Sequence, residues 1–291
     1  MDTSMLVYWI TNRESIRRLR AAGAPPPWTS DLILSAGHFD NVRRPDDRVS
    51  RWIHFEWIEP HADHPDLFLA CTVARFINEP EVLAEVGFPL PWDPERFVGI
   101  MAARKARGAK LERRAYMIHA DRKPGQLKAE YMARRIFTPM WRSREFLRPV
   151  RGETLARYHG RLSELHGMAG GFMSGQVIAD LKFAEPLRSA SDWYTFTASG
   201  PGSRRGLNRV LGRPVDAPWT EGDWQREFAR VRSAVMPDLE RLGLGDLDSQ
   251  SLQSCLCELH KYERAREGGS MRRFRPNPEP LPIPRIAEAA E

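Results

Sequence analysis

The chain has 291 residues, 42% of them hydrophobic, which is enough to bury a core in one large domain or two modest ones. It carries a formal net charge of +6 with a pI of ≈ 9.5, and no run approaches the about 18 uncharged apolar residues of a membrane span. Cys71, Cys255 and Cys257 are its three cysteines; a disulfide framework is excluded, and Cys255 and Cys257 lack the second pair that a zinc or iron–sulfur site needs. Met1-Asp-Thr-Ser-Met5 lacks the basic-then-apolar order of a signal peptide, so an intracellular protein with no membrane partner is expected.

Residues 2–22 read as a helix with Met5, Leu6, Trp9, Ile16 and Leu19 near one face and Arg13, Arg17, Arg18 and Arg20 largely off it. Gly23 and Pro25-Pro-Pro27 stop it. His38-Phe-Asp-Asn-Val-Arg-Arg-Pro-Asp-Asp-Arg48 is chemically dense. Asp46 or Asp47 is placed to cap the next helix. Asn41, Arg43 and Arg44 precede that cap in a loop, and paired arginines beside an amide suit an oxyanion. His61-Ala-Asp-His64 lies between Pro60 and Pro65 and reads as a plain turn rather than a metal site. Asp66 is expected to cap a buried helix over 67–77.

Between Arg104 and Arg135 eleven Lys or Arg face three acids, a surplus of +8 that suits a polyanion. Inside this band Ala115-Tyr-Met-Ile118 reads as extended and Arg122-Lys-Pro-Gly125 as a turn. Helices are expected over 152–165, 224–242 and, ending at Gly268-Gly269, a final amphipathic one with Leu252, Cys255, Leu256, Leu259 and Tyr262 on one face. The prolines at 276, 278, 280, 282 and 284 make 276–291 a loose tail. The pattern predicts a mainly α protein with few or no strands: one compact helical domain over 1–275.

Residues 162–208 concentrate the chemistry. A helical run ends in Gly167-Met-Ala-Gly-Gly171, whose turn amides suit a phosphate. An apolar run over 172–181 follows, then Asp192 beside Trp193, then a Gly200-Pro-Gly202 turn opening onto Arg204 and Arg205. This combination predicts an enzyme that grips DNA and acts on one nucleotide.

The order helix, Leu165-x-Gly167 hairpin, helix, Asp192 resembles the helix-hairpin-helix DNA glycosylase superfamily, in a segment of about 152–208. His166 replaces the usual hairpin proline and Ala169 the second glycine, and hairpin lysine and cluster cysteines are absent. These departures point away from base excision. A wider resemblance rests on Tyr8-Trp-Ile10, Pro27-Trp-Thr29, Phe39-x-Asn41-Val-Arg43-Arg44 with Asp47-Arg48-Val49, Gly170-Gly-Phe172 with Gln176, Asp180-Leu181, Asp192, Gly200-Pro-Gly202-x-Arg204-Arg205-Gly206-Leu207-Asn208, Gly212-Arg-Pro214 and Cys257-Glu258-x-x-Lys261-Tyr262-x-Arg264. Together these are similar to the amino acid:DNA transferase family, the α-glutamyl/putrescinyl thymine pyrophosphorylases, to which the helical domain of phage 5-hydroxymethyluracil DNA kinases is related.

That resemblance implies thymidine hypermodification in a phage-infected bacterial cytoplasm. The amine of a free amino acid (glycine, serine or glutamate) would displace pyrophosphate from a modified thymine in double-stranded DNA. The kinase step itself is not expected, since no Gly-x-x-x-x-Gly-Lys-Ser/Thr motif occurs. Asp192, with Glu258 second, is expected to be the base or to stabilise charge at the 5-methylene. Arg43, Arg44, Arg48, Arg204, Arg205, Lys261, Gly167 and Gly170 are expected on pyrophosphate or DNA phosphate, and Phe39, Asn41, Gln176 and Trp193 on the base. No cofactor is required by this scheme, although pyrophosphate admits a Mg²⁺ co-ion. A glycosylase acting on a modified thymine and a non-catalytic DNA-binding subunit stand as alternatives.

Overall fold

Short polar side chains start the helices. Asp31, Asp93, Thr154, Thr220 and Asp248 each accept backbone N–H groups of the turn that follows. A computed structural model describes residues 1–113 and 126–275. In chain order its helices are α1 (Ser4–Ala21), α2 (Leu32–Ala36), α3 (Arg48–Ile53), α4 (Leu67–Ile77), α5 (Pro80–Val86), α6 (Pro94–Ala106) and α7 (Lys128–Met132). There follow α8 (Thr138–Arg142), α9 (Arg144–Leu147), α10 (Leu155–Ser163), α11 (Phe172–Leu181), α12 (Pro201–Val210), α13 (Glu221–Arg241) and α14 (Ser249–Arg266). Among the described residues there is no strand, only an isolated antiparallel bridge between Gly37 and Arg273. The protein is mainly α, as the sequence pattern predicts. The expected 115–118 extended piece, the 122–125 turn, the centre of the basic band and the proline-rich tail lie outside the described residues.

Packing groups the described chain into two compact units, 1–47 with 194–275, and 48–193. The 152–208 stretch is therefore divided between them.

In the first unit α12 lies along α14, and glycine sets how closely. A Cβ on Gly206 would sit 2.0 Å from the Leu256 carbonyl oxygen, and one on Gly202 2.9 Å from Cys257 Sγ. Gly200-Pro-Gly202, expected as a free turn, is the start of α12: Gly200 is its N-cap and Pro201 its first residue. The core joins Leu6, Trp9, Ile10 and Ile16 of α1 to Trp224, Phe228 and Val231 of α13 and to Leu252, Cys255, Leu256 and Leu259 of α14. Arg13, expected off the apolar face of α1, is 6% exposed and belongs to it, whereas Leu19 is 39% exposed.

The second unit is built on α4 and α11. Every residue of α4 is buried, and so is all of α11 after Phe172. Their shared ion pair is buried too: Arg75 donates to both oxygens of Asp180, to Ser50 Oγ at 2.8 Å and to Asn78 Oδ1 at 3.2 Å. Asp66 does not cap α4 through its side chain; its carboxylate takes Arg148 at 2.8 and 3.1 Å instead. His61 stacks on Phe88 at 3.6 Å between centroids, and His64 accepts the Asp66 N–H at 3.1 Å, so these histidines serve a turn.

Candidate active site

The ionisable groups of the first unit meet where α14 passes the 38–47 loop. Arg13 holds that loop from beneath, donating to the Asp40 carbonyl at 3.0 Å, the Phe39 carbonyl at 3.3 Å and Asn41 Oδ1 at 2.6 Å. Asn41 closes the loop by donating from Nδ2 to the Asp46 carbonyl at 2.9 Å, while its N–H donates to Asp47 Oδ1 at 2.8 Å. Above this frame Glu258 is 1% exposed. Its Oε2 accepts the Asp40 N–H at 3.1 Å and its Oε1 the Lys261 ammonium.

Burial pushes the Glu258 carboxyl up, the nearby Asp40 charge adds to this, and Lys261 offsets part of it; the result is about 7. Lys261 is lowered by burial, but Glu258 and Asp40 more than reverse this and hold it cationic. Its side chain as a whole remains 45% exposed. Asp47 is likewise raised well above the usual carboxylate range, by desolvation and by Asp40. Spacing alone suggests Glu258 and Lys261 as a surface ion pair; the structure makes one partner buried and the other partly exposed.

The same helix carries a field of cations. His260 is depressed to about 4 by desolvation and by Arg209, Arg205 and Arg264. Arg209 donates to His260 Nδ1 at 3.2 Å and holds Glu267 at 2.5 and 2.8 Å. Thus Arg205 of α12 and Glu258 and Lys261 of α14 belong to one packed helix pair, with Arg209 and Arg264 added.

The expected residues of this unit have the following partners. Arg43 forms a two-pronged pair with Asp246 at 2.9 and 2.5 Å. The Arg44 N–H donates to Ser251 Oγ at 3.3 Å. Arg204 is fixed by Ser199 Oγ at 2.8 Å and Glu221 at 3.0 Å, and Arg205 by Asp216 at 2.8 Å. Phe39 is 6% exposed, edge-on to Trp9 and tilted against Tyr262, so its ring is committed to the core.

In the second unit Arg48 pairs with Glu81, and Gln176 is buried at 8% exposure in α11. Trp193 donates to the Lys182 carbonyl at 2.9 Å, and the Lys182 ammonium lies 3.9 Å from the centre of its ring. Phe183 meets Trp193 edge-on at 5.5 Å. Asp192 accepts the Leu155 N–H at 2.7 Å and the Ala156 N–H at 2.9 Å. Thr154 Oγ1 takes the Arg157 N–H, and the Thr154 carbonyl takes that of Tyr158. The first four N–H groups of α10 are thereby all satisfied, two of them by Asp192.

The hairpin keeps donors available. Gly167, Gly170 and Gly171 all have positive φ, +84°, +84° and +76°. Leu165, Met168 and Gly171 N–H groups close successive turns, but those of Gly167, Ala169 and Gly170 have no acceptor among the described residues. His166 is fixed by the Tyr131 hydroxyl at 2.8 Å.

Sequence reasoning overlooked Arg13 and Asp40. Arg13 was detectable, because Leu6, Trp9, Arg13 and Ile16 share one helical stripe. Asp40 had no signal of its own, since its approach to Glu258 joins residues 218 apart. Concavities in this unit lie elsewhere. One of ≈ 440 Å³ is lined by Leu211, Arg213, Trp219 and Arg226, another of ≈ 700 Å³ by Met1, Tyr8, Asn12 and Asp238, and neither contains Glu258. Among the described residues no group of three His, Cys, Asp or Glu side chains is placed to hold a metal, and no helix is long and apolar enough to cross a membrane.

The sequence matches the family described as 5-hmdU DNA kinase, helical domain, over residues 2–271. It is also similar to the 5-hmdU DNA kinase of Bacillus phage SP10, at 24% identity over 274 residues. That alignment covers 82% of this chain and 41% of the relative, so the chain spans about two fifths of the relative's length. No solved structure matches. With nearly its whole length matched, the chain belongs to the family of the 5-hmdU DNA kinase helical domain.

Proposed function

We propose that the protein is a DNA-modifying enzyme acting on 5-hydroxymethyluracil-derived thymine in phage DNA inside the infected host, and that it is a transferase. An amino acid's amine displaces pyrophosphate from the 5-methylene of a 5-pyrophosphoryloxymethyl base. The family match supports the substrate class, since the similar phage protein is named for 5-hmdU in DNA. The observation that carries the reaction class is Glu258, a buried carboxyl held at about 7 and paired with Lys261, whose side chain is partly exposed.

The amine attacks only when neutral, so a base titrating near the working pH is well matched to it. In this scheme the amine lone pair forms the new C–N bond as the C–O bond to pyrophosphate breaks. Pyrophosphate leaves with the bonding pair, and Glu258 takes the proton lost by the nitrogen. Lys261, with Arg205, Arg209 and Arg264 on the same helix pair, meets the charge developing on the leaving group. The hairpin amides of Gly167, Ala169 and Gly170 supply donors for a backbone phosphate. A helix-hairpin-helix glycosylase-like fold is part of this reading. Asp192 enters it as the cap of α10 rather than as the base.

The test incubates the protein with duplex DNA bearing the pyrophosphorylated base and single amino acids, then weighs the digested nucleosides and measures pyrophosphate. An aminoacylated nucleoside with one pyrophosphate released per product is expected. Alkali-labile abasic sites, or no product with any donor, would overturn the transferase reading.

A further inference from the structure

Helix α9 holds an aromatic ring in solvent, and the chain around it is tightly anchored. Phe146 is 85% exposed, the most exposed large apolar side chain among the described residues, and Val150 is 55% exposed. Their neighbours are fixed. Leu147 is buried, and its carbonyl accepts the buried Tyr158 hydroxyl at 3.0 Å. Arg161 reaches from α10 to the Phe146 carbonyl at 2.7 Å and the Arg148 carbonyl at 3.1 Å, and clamps Glu153 at 2.8 and 2.7 Å. Arg148 in turn holds Asp66, itself 4% exposed. A ring left in water by a flexible loop would be unremarkable; one presented by five anchors is preorganised for a partner.

The charges around it name that partner's chemistry. Arg142, Arg151 and Arg157 are exposed and have no carboxylate partner among the described residues. Arg144 stacks on Trp141, its guanidinium 4.3 Å from the ring centre. Glu145, next to the ring in sequence, is paired with Arg148; a projecting ring in a segment that also carries Arg142, Arg151 and Arg157 suits a stacked polyanion, the ring entering between bases while the cations meet flanking phosphates. A lipid surface would favour a broader apolar face, and an acidic peptide would not need a lone flat ring.

We propose that Phe146 is a wedge that enters the base stack of duplex DNA and fills the space left by the extruded nucleotide, with Arg142, Arg151 and Arg157 on the adjacent phosphates. The inference rests on the proposed function, in which the enzyme works on a base taken out of the helix. Phe146 is here a positioning residue. It holds the duplex open and touches no reacting atom.

The experiment uses the full chain, a saturating amino acid and a duplex carrying 2-aminopurine next to a 5-pyrophosphoryloxymethyluracil. Wild type is expected to raise 2-aminopurine fluorescence at saturation. Phe146→Ala, folded by circular dichroism, is expected to lose that rise and bind about tenfold more weakly, as removal of a stacking ring does. A mismatch at the target, which lowers the unstacking cost, should restore the rise. Arg142→Ala with Arg151→Ala should flatten the log Kd against log salt slope by about two, one for each phosphate no longer neutralised. Equal fluorescence with wild type and Phe146→Ala would overturn the proposal, as would no fluorescence rise with wild type, or a Phe146-dependent binding confined to anionic vesicles of phosphatidylglycerol and phosphatidylcholine. Nucleoside products are weighed in the same samples. A Phe146-dependent rise without aminoacylated product contradicts the transferase reading and leaves the wedge standing, whereas product formed equally by wild type and Phe146→Ala contradicts the wedge alone.

Discussion

At the residue scale, Glu258 and Asp192 show two environments for a carboxylate. Glu258 is desolvated and raised to about 7, while Asp192 commits both oxygens to helix N–H groups. Asp192→Ala is therefore expected to lower stability by about 1–2 kcal/mol, the usual cost of a lost cap, and to leave turnover per folded molecule within a few-fold; urea unfolding and single-turnover rates on the same preparation check this. Glu258 also shapes stability against pH. Its folded pKa lies above the usual 4.5, so the folded state binds more protons between about 4.5 and 7, and its contribution is full below 4.5 and lost as pH rises through 7. His260 is depressed to about 4 from 6.5, so its contribution is present above 6.5 and lost as pH falls toward 4. Melting temperature against pH should show Glu258→Gln reducing the loss toward neutrality and His260→Gln reducing the loss toward acid. The sequence made Glu258 and Lys261 visible as a helical pair, but not which of the two is buried. That depends on Asp40 and Arg13, which come from distant parts of the chain.

At the element scale, glycine and one buried ion pair decide how helices meet. Gly206 lets α12 touch the α14 backbone at Leu256, so Gly206→Ala must push the helices apart. A loss of roughly 3 kcal/mol, at the upper end for overpacking, is expected by chemical denaturation, with activity falling because Arg205 and Lys261 sit on the two displaced helices. In the second unit Asp180→Ala would leave Arg75 buried and unpaired between α4 and α11. A loss of about 3–5 kcal/mol is expected, much of it recovered by adding Arg75→Met; a double-mutant cycle reads both. The long helices α1, α4, α13 and α14 were legible because apolar spacing is a local signal, whereas Asp66, read as the cap of α4, turns its carboxylate to Arg148 from a distant part of the chain. Gly200-Pro-Gly202 was not legible, since proline and glycine read as a turn until a packed neighbour explains why both begin a helix.

At the scale of the whole molecule, the mainly helical class was legible from the absence of a βαβ pattern, but the division into two units was not, because no linker composition marks the passage at 47 or 193. The family of the 5-hmdU DNA kinase helical domain supplies the substrate class of the proposed reaction, and the α12–α14 pair supplies a base and cations for it. The most direct measurement is pyrophosphate release in a single turnover on duplex DNA carrying the pyrophosphorylated base, with a saturating amino acid, from pH 5 to pH 9. Wild type should show an inflection near 7 as Glu258 ionises, and Glu258→Gln should lose that inflection and about 100-fold in rate, the scale of a general base. Amine-dependent release by Glu258→Gln at the wild-type rate, or no release by wild type with any amino acid, would contradict the account.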